Sequence, residues 1–421
     1  MIRFYNGKIL SFDGDTEIRS GEVWVEGDRI YYVGDAPLER VPFAREIDLK
    51  GNLLMPGFKD AHTHSAMTFL RSFADDMPLH EWLFMQVFPM EAQLTADHIY
   101  HLTKLAILEY LSSGITASFD MYFQPEAYIA ANTESGFRTV LCGAVSGGQK
   151  AAERLEADFN RFNGVHPLIS YKLGFHAEYT AEPELLAEIG ALARKYKAPV
   201  FTHNSETKFE VEGSIERHGK TPTELFESLG IYDYGGGGFH TVHMSPRDLE
   251  IFKEKGLWAV TNPGSNAKLA SGIAPITKML NMGINLAVGT DGPASNNALD
   301  MFREMYLVTV LQKLAGNDAA ACPADEVLKM AVTGGAGAMG LNDCDVIAAG
   351  KQADLIVIDL NEPNMQPLNN IVKNIVYSGS KKNVKLTMIA GKILYENGEF
   401  FIGEEPEKVY QKANEIICQL K

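Results

Sequence analysis

The chain changes its periodicity twice. Through the first fifty residues, short runs of alternating apolar and polar positions are bounded by turn residues. Gly21 to Ile30 is the clearest case: polar turns stand at both ends, with Val23-Trp24-Val25 between them. Alternation of this kind predicts a small β-meander. The stretch from about 350 to 400 reads the same way, with one strand over Ala353 to Asp359 and another around Met388 to Leu394, where Gly391 marks a turn. Between these ends, apolar strand-like segments alternate with amphipathic stretches of helical spacing. One helix is expected from an N-cap at Thr95, with Ile99, Leu102, Leu105 and Leu108 along one face. Another is expected from Ser245, with Pro246 at its first helical position. Eight strand candidates end near His64, Phe123, Ala144, His176, His203, His243, Pro263 and Asp291.

Eight strands in strict alternation with helices predict an α/β fold, a (β/α)8 TIM barrel. The two β-rich ends predict one small composite β domain built from both termini. The expected division is 1–55 and 346–421 for the small domain, with a terminal helix over about 405 to 419, and 56–345 for the barrel. The glycine tract Gly235 to Gly238 is expected as a flexible surface connection. It is followed by no Lys-Ser/Thr pair and opens no helix, so it is not a phosphate cradle.

Composition narrows the classes of function. A formal charge of −16 repels phosphate backbones and anionic lipid, which argues against nucleic acid and membrane surfaces as partners. No run approaches the roughly 18 apolar residues of a membrane helix. The N-terminal segment lacks a signal peptide's apolar stretch and cleavage site. Cys142, Cys322, Cys344 and Cys418 show no paired spacing, so a reducing, cytoplasmic setting is expected.

The histidines carry the chemistry. In a (β/α)8 barrel, reactive groups gather at the C-terminal ends of the strands. Of eleven histidines, His62, His64, His203 and His243 fall at predicted strand ends, and His176 makes a fifth. His62 and His64, two apart on a strand, face one side and can share an ion. His203 ends another strand, and Glu206, three residues on, has the place of a proton shuttle. In Phe239-His240-Thr241-Val242-His243 the two histidines face opposite sides. His243 is expected at the strand end, and His240 as a packed or hydrogen-bonded residue. Asp291 ends the last strand, with Ala287 and Gly289 turned inward and Leu286 and Val288 outward. His62, His64, His203 and Asp291 offer three imidazoles and one carboxylate, a set that suits one Zn2+ or Fe2+ with a position left for water. The reaction expected of such a set is metal-assisted hydrolysis of a small molecule.

Several motifs together resemble the amidohydrolase superfamily, in the subgroup that contains S-adenosylhomocysteine/5′-methylthioadenosine deaminase and the triazine hydrolases. They are Pro56-Gly57-Phe58 through His62-Thr63-His64, Leu70-Arg71, Glu81-Trp82-Leu83, His203 with Glu206-Thr207, and His240 with His243. The runs Ser265 to Pro275, Thr290 to Asn297 and Gly350 to Leu355 extend the match over nearly the whole chain. The resemblance implies metal ligation by His62, His64, His203 and Asp291, a polarising role for His243, and proton transfer by Glu206 and Asp291. It further implies substrate contacts from Trp82, Glu91, Arg154, His176 and Glu206, and a homo-oligomer. The implied reaction is hydrolytic deamination of a 6-aminopurine nucleoside. The alternative is a deaminase or chlorohydrolase of another heterocycle (guanine, cytosine, triazine or pterin) with the same metal chemistry. A two-metal hydrolase bridged by a carboxylated Lys172 and a non-catalytic relative are further alternatives.

Two positions depart from that pattern. The second arginine of the family would fall at or next to Gly143, where there is none. The segment around His176 reads Gly174-Phe175-His176-Ala177-Glu178-Tyr179, so Phe175 and Glu178 are expected to reshape the distal end of the pocket.

Overall fold

The structure is a computed structural model that describes residues 1–14, 16–35 and 41–420. Among these residues the chain forms two sheets. The first sheet begins with β1 (Ile2–Leu10), β2 (Ile18–Glu26), β3 (Arg29–Gly34), β4 (Arg45–Asp48) and β5 (Leu53–Pro56). The second holds β6 (Phe58–Thr63), β7 (Ile115–Met121), β8 (Arg138–Cys142), β9 (Ile169–Gly174), β10 (Val200–Asn204), β11 (Gly236–His240), β12 (Trp258–Thr261) and β13 (Asn285–Val288). The chain then returns to the first sheet with β14 (Leu355–Ile358), β15 (Val384–Ile389), β16 (Lys392–Glu396) and β17 (Glu399–Phe400).

The eight strands β6 to β13 pair in parallel, in chain order, with helices between them. This is the (β/α)8 barrel expected from the alternation. At the seam between β13 and β6, side chains supplement the backbone. The Asp60 carboxylate accepts from the Thr290 amide at 2.8 Å and from its hydroxyl at 2.6 Å, and the Asp291 amide donates to the His62 carbonyl at 2.8 Å. Small and aromatic residues, among them Ala61, Ala117, Phe119, Phe201, Phe239 and Ala287, fill the barrel interior. Leu286 and Val288 pack outward into the larger core beneath the helices, as the alternation along β13 requires.

Local signals act where the sequence places them. Thr95 caps Ala96–Ser112 by accepting from the His98 amide, and Ser245 caps Pro246–Lys255 by accepting from the Asp248 amide. The C-terminal helix, Pro406–Leu420, packs on Ala96–Ser112. No helix of the described residues is long and apolar enough to cross a membrane. The four cysteines are all free, and only Cys418 is exposed.

The glycine tract is not a surface loop. Gly236, Gly237 and Gly238 form most of β11 and are buried. A Cβ on Gly236 would stand 1.9 Å from the Val200 carbonyl oxygen, and one on Gly237 would stand 2.2 Å from that of Trp258. The neighbouring strands approach too closely for any side chain, so glycine is required by packing rather than by flexibility.

The terminal sheet runs β17-β16-β15-β14-β5-β1-β2-β3, with β4 beside β1. Its centre joins the two ends of the chain, because β5 pairs in parallel with β1 and antiparallel with β14. It is locked to the barrel by a buried charge cluster. Arg138, at the start of β8, donates to Asp354 through Nε at 2.7 Å and Nη2 at 3.0 Å. Lys59, near the start of β6, brings Nζ to 3.7 Å from the same carboxylate, and the Ala390 amide donates to it at 2.8 Å. Arg138 and Lys59 lie at the N-terminal ends of their strands, opposite the mouth where the histidines gather.

Candidate active site

At the C-terminal ends of the strands, His62, His64, His203, His240 and Asp291 converge. Ligand atoms of His62, His64 and Asp291 all lie within 4.8 Å of one another, and so do those of His62, His203 and His240. Three of the four imidazoles are oriented by their second nitrogen. His64 Nδ1 is bonded to the Met121 carbonyl at 2.6 Å, His203 Nδ1 to the His176 carbonyl at 2.6 Å, and His240 Nδ1 to the Asn266 Oδ1 at 2.7 Å. A carbonyl acceptor at Nδ1 places the proton there and leaves the Nε2 lone pair for the centre, the arrangement that metal sites use. His64 Nε2 lies 3.2 Å from Asp291 Oδ1, and His240 Nε2 lies 3.9 Å from Asp291 Oδ2. Asp291 is itself held by the Gly292 amide and the Ser295 hydroxyl, each at 2.8 Å.

The residues fit a metal ion on grounds of their own. His62 is completely buried, and neither of its ring nitrogens has a hydrogen-bond partner among the described residues. Two bare buried nitrogens are costly unless something else satisfies one of them. Burial drives the His62 and His203 imidazoles well below their ordinary pKa, and burial with neighbouring histidines lowers His176 to about 4. At His64 burial is outweighed by the bond to Asp291, which lifts it to about 9, a proton that a bound cation would displace. Neutral imidazoles are what a cation requires of its ligands. The donor set is that of a divalent-metal site.

Glu206 stands in front of this cluster, with Oε2 3.9 Å from His240 Nε2. Its Oε1 accepts from the Ser271 hydroxyl at 2.9 Å. Its backbone is fixed by Glu210, whose buried carboxylate accepts from the Ser205 amide at 2.9 Å and the Glu206 amide at 2.8 Å. Burial raises the Glu210 carboxyl to about 7. Glu210 lies outside every motif quoted above, and Asn266, Ser271 and Ser295 lie inside the runs Ser265 to Pro275 and Thr290 to Asn297 with no role expected of them; contact geometry reveals what they hold.

His240 occupies the position expected for His243. The strand ends at His240, and both His240 and Thr241 take left-handed backbone angles, with φ of 71° and 48°. This turn carries His243 away from the cluster, where its Nε2 is bonded to the Ser271 carbonyl at 2.7 Å. The error follows from the glycine tract: with the tract read as a loop, the strand was expected to start and end later than it does.

The pocket above the cluster is lined by Trp82, Leu83, Phe88, Glu91, Tyr122, Phe123, Ala144, Ser146, His176, Tyr179 and Leu269, besides the residues already described. Trp82, Glu91 and His176 thus all line the pocket. Glu91 Oε1 and the Tyr122 hydroxyl are buried in it facing each other, with no other hydrogen-bond partner among the described residues. Arg154 is elsewhere: it is exposed on the helix Ala151–Phe162, and its Nη1 donates to the Gln149 carbonyl at 3.3 Å. Phe175 and Glu178 also miss the pocket. Phe175 packs on Phe226, and Glu178 is bound by Arg217 at 2.5 Å and His218 at 3.1 Å. The Lys172 ammonium lies about 3 Å from where a Gly340 Cβ would stand and lines no part of the site.

The family model described as "Amidohydrolase family" matches residues 53–394. The chain belongs to the amidohydrolase family. A protein named 5-methylthioadenosine/S-adenosylhomocysteine deaminase from Caldanaerobacter subterraneus subsp. tengcongensis is 40% identical, over 97% of this chain and 96% of its own. One of the same name from Pelotomaculum thermopropionicum is 38% identical, over 98% and 97%. Among solved structures, an adenosine deaminase from Xanthomonas campestris with bound zinc is 30% identical, with a TM-score of 0.94 over 100% of this chain and 98% of that one.

Proposed function

We propose that the protein is a hydrolytic deaminase of 6-aminopurine nucleosides, of the 5′-methylthioadenosine, S-adenosylhomocysteine, 5′-deoxyadenosine or adenosine type, working with one zinc ion. The observation that carries this reading is the convergence of four imidazoles and Asp291 on one point, with Glu206 facing it from a pocket that holds a buried polar pair, Glu91 and Tyr122. The relatives named above support the nucleoside as substrate.

His62, His64, His203 and Asp291 would hold the ion. When bound, it supplies Lewis-acid activation of a water molecule near neutral pH. Asp291, whose two oxygens face His64 and His240, takes a proton from the attacking water. As the water oxygen bonds to C6 of the purine, Glu206 delivers a proton to N1, and its bond from Ser271 aims it there. His240, fixed by Asn266, stabilises the charge developing on the oxygen at C6. The proton held by Asp291 then passes to the amino nitrogen, and Glu206 takes back the remaining proton from the hydroxyl at C6. The C6–N bond breaks, and ammonia and the 6-oxopurine leave. Glu91 and the Tyr122 hydroxyl accept and donate hydrogen bonds to ribose hydroxyls, and His176 borders the purine.

The test is ammonia release and loss of adenine absorbance by zinc-replete protein with adenosine, 5′-deoxyadenosine, 5′-methylthioadenosine and S-adenosylhomocysteine. Turnover of any one supports the reading. No turnover of all four, with zinc bound, refutes it and directs the search to guanine, cytosine, pterin and triazine.

A further inference from the structure

We propose that this pocket selects adenine nucleosides whose 5′ substituent carries no anionic group, and that it discriminates against a carboxylate or phosphate at that end. The inference rests on the nucleoside reading above and deepens it. Among the described residues, no lysine or arginine lines the pocket, whose charged members are the carboxylates of Glu91, Glu206 and Asp291 and whose histidines belong to the cluster or border it. A ligand anion brought into such a wall loses its water and gains no cation in exchange.

The strand ends explain why no cation is present. At the end of β8, a Cβ on Gly143 would stand 2.4 Å from Leu155 Cδ1 and 2.7 Å from the Gly174 carbonyl oxygen, so no side chain can grow into the pocket from there. The pocket-lining positions that follow are Ala144 and, on the exposed rim, Ser146, neither of which carries a charge. Arg154, the remaining candidate, turns to the surface.

In place of a cation stand aromatic faces. Tyr122 and Phe123 stack with centroids 4.3 Å apart and an interplanar angle of 20°, and both line the pocket beside Glu91. Phe88 joins them on the same wall. With Glu91 on the ribose diol, this surface receives the 5′ end, and a thioether packs favourably against aromatic rings.

An adjoining cavity shares Leu79, Leu83, Tyr179 and Glu206 with the pocket and carries two lysines on its rim. Lys268 is committed to Asp75, Asn297 and the Ala294 carbonyl. Lys208 is exposed, and it is the residue through which a long acidic tail could still be held.

The experiment compares kcat/KM for 5′-methylthioadenosine, S-adenosylhomocysteine, its decarboxylated analogue and adenosine 5′-monophosphate, in the wild type and in Ser146→Arg and Lys208→Met. Losing one charge-assisted pair is worth about tenfold or more. The wild type is therefore expected to prefer 5′-methylthioadenosine over S-adenosylhomocysteine by at least about tenfold, to handle the decarboxylated analogue better than its parent, and to reject the phosphate. Ser146→Arg, on the exposed rim, is expected to narrow that preference by about tenfold, and Lys208→Met to leave it unchanged. Equal or better use of S-adenosylhomocysteine by the wild type overturns the proposal, as does a selective loss of that substrate in Lys208→Met. If no nucleoside is turned over, the deaminase reading fails. Calorimetric Kd values for the same ligands then decide the selectivity separately: tighter binding of 5′-methylthioadenosine sustains it, and equal binding ends it.

Discussion

Replacing Asp354 by asparagine tests how the terminal sheet is held to the barrel. The carboxylate is fully buried between Arg138, 4% exposed, and Lys59, 0% exposed. Asparagine preserves the volume and one acceptor but leaves two buried cations without an anion. Breaking a buried ion pair on one side costs about 3–5 kcal/mol. For a chain of 421 residues, unfolding entropy of about 2.1 cal/mol/K per residue gives roughly 0.9 kcal/mol/K, so the melting temperature should fall by about 3–6 °C. Scanning calorimetry of both proteins at pH 7 measures this directly. The pH dependence adds a second reading. Burial pushes the Asp354 carboxyl up, but the facing Arg138 and Lys59 charges more than offset it and hold it below its ordinary value. A depressed carboxylate contributes stability that is complete above its unfolded pKa, about 3.9, and that is lost as pH falls through the folded value. The difference between the two proteins should therefore be constant near neutrality and shrink below pH ~4. Because the cluster lies at the far end of the barrel from the histidines, kcat at 25 °C should stay within about twofold. A melting temperature unchanged within 1 °C at pH 7 would refute the reasoning.

Three further outcomes are expected. Glu206→Gln should bind zinc with unchanged stoichiometry, by metal analysis, while kcat falls at least about 10²-fold, the scale of a lost general acid–base group; near-normal turnover removes Glu206 from the mechanism. His240→Asn should reduce kcat by about 10² or more, whereas His243→Asn should change it by less than about fivefold, and the reverse order would restore the role to His243. Gly237→Ala should lower stability by about 1–3 kcal/mol and kcat/KM by tenfold or more, since the added Cβ forces β11 from β12 and shifts His240, and a variant with normal kinetics would show that the strands can part without moving the site.

Much of this was legible in the sequence because periodicity reports burial directly. Alternation gave the terminal sheet, and along β13 it placed Ala287 inside and Leu286 and Val288 outside. The spacing of His62 and His64 is legible from strand geometry, whereas Asp291 stands three residues beyond the end of β13 with a left-handed φ of 59°, so a turn and not the strand brings it to the cluster. What escaped notice depended on contacts between distant segments. Gly236 to Gly238 have no side chains from which to read a period, so a buried strand looked like a linker, and the error passed to His243. Arg154 matches the family at its sequence position, but the turn before Ala151 sets its side chain on the surface, which no local pattern reveals. Glu210 belongs to no motif quoted above, and only the fold brings its carboxylate under Ser205 and Glu206.

The pairing of β5 with β14 also governs how the protein is made. Leu54 faces Val357 across that ladder, so the partner of an early strand is translated about 300 residues later. Closing a loop of that length costs about 5 kcal/mol of chain entropy before any contact rewards it. At ribosomal speeds of about 5–20 residues per second, the first strands wait roughly 15–60 s with an open edge. During that interval β1 to β3 can satisfy one another as a meander, but β5 cannot find its second neighbour, and an unpaired edge is a template for association with other chains. The barrel strands emerge in the order in which they pair and can assemble as they appear. Completion of the molecule thus falls to its last segments, and a chain stopped short of β14 would carry a nearly finished barrel with an exposed strand at its base.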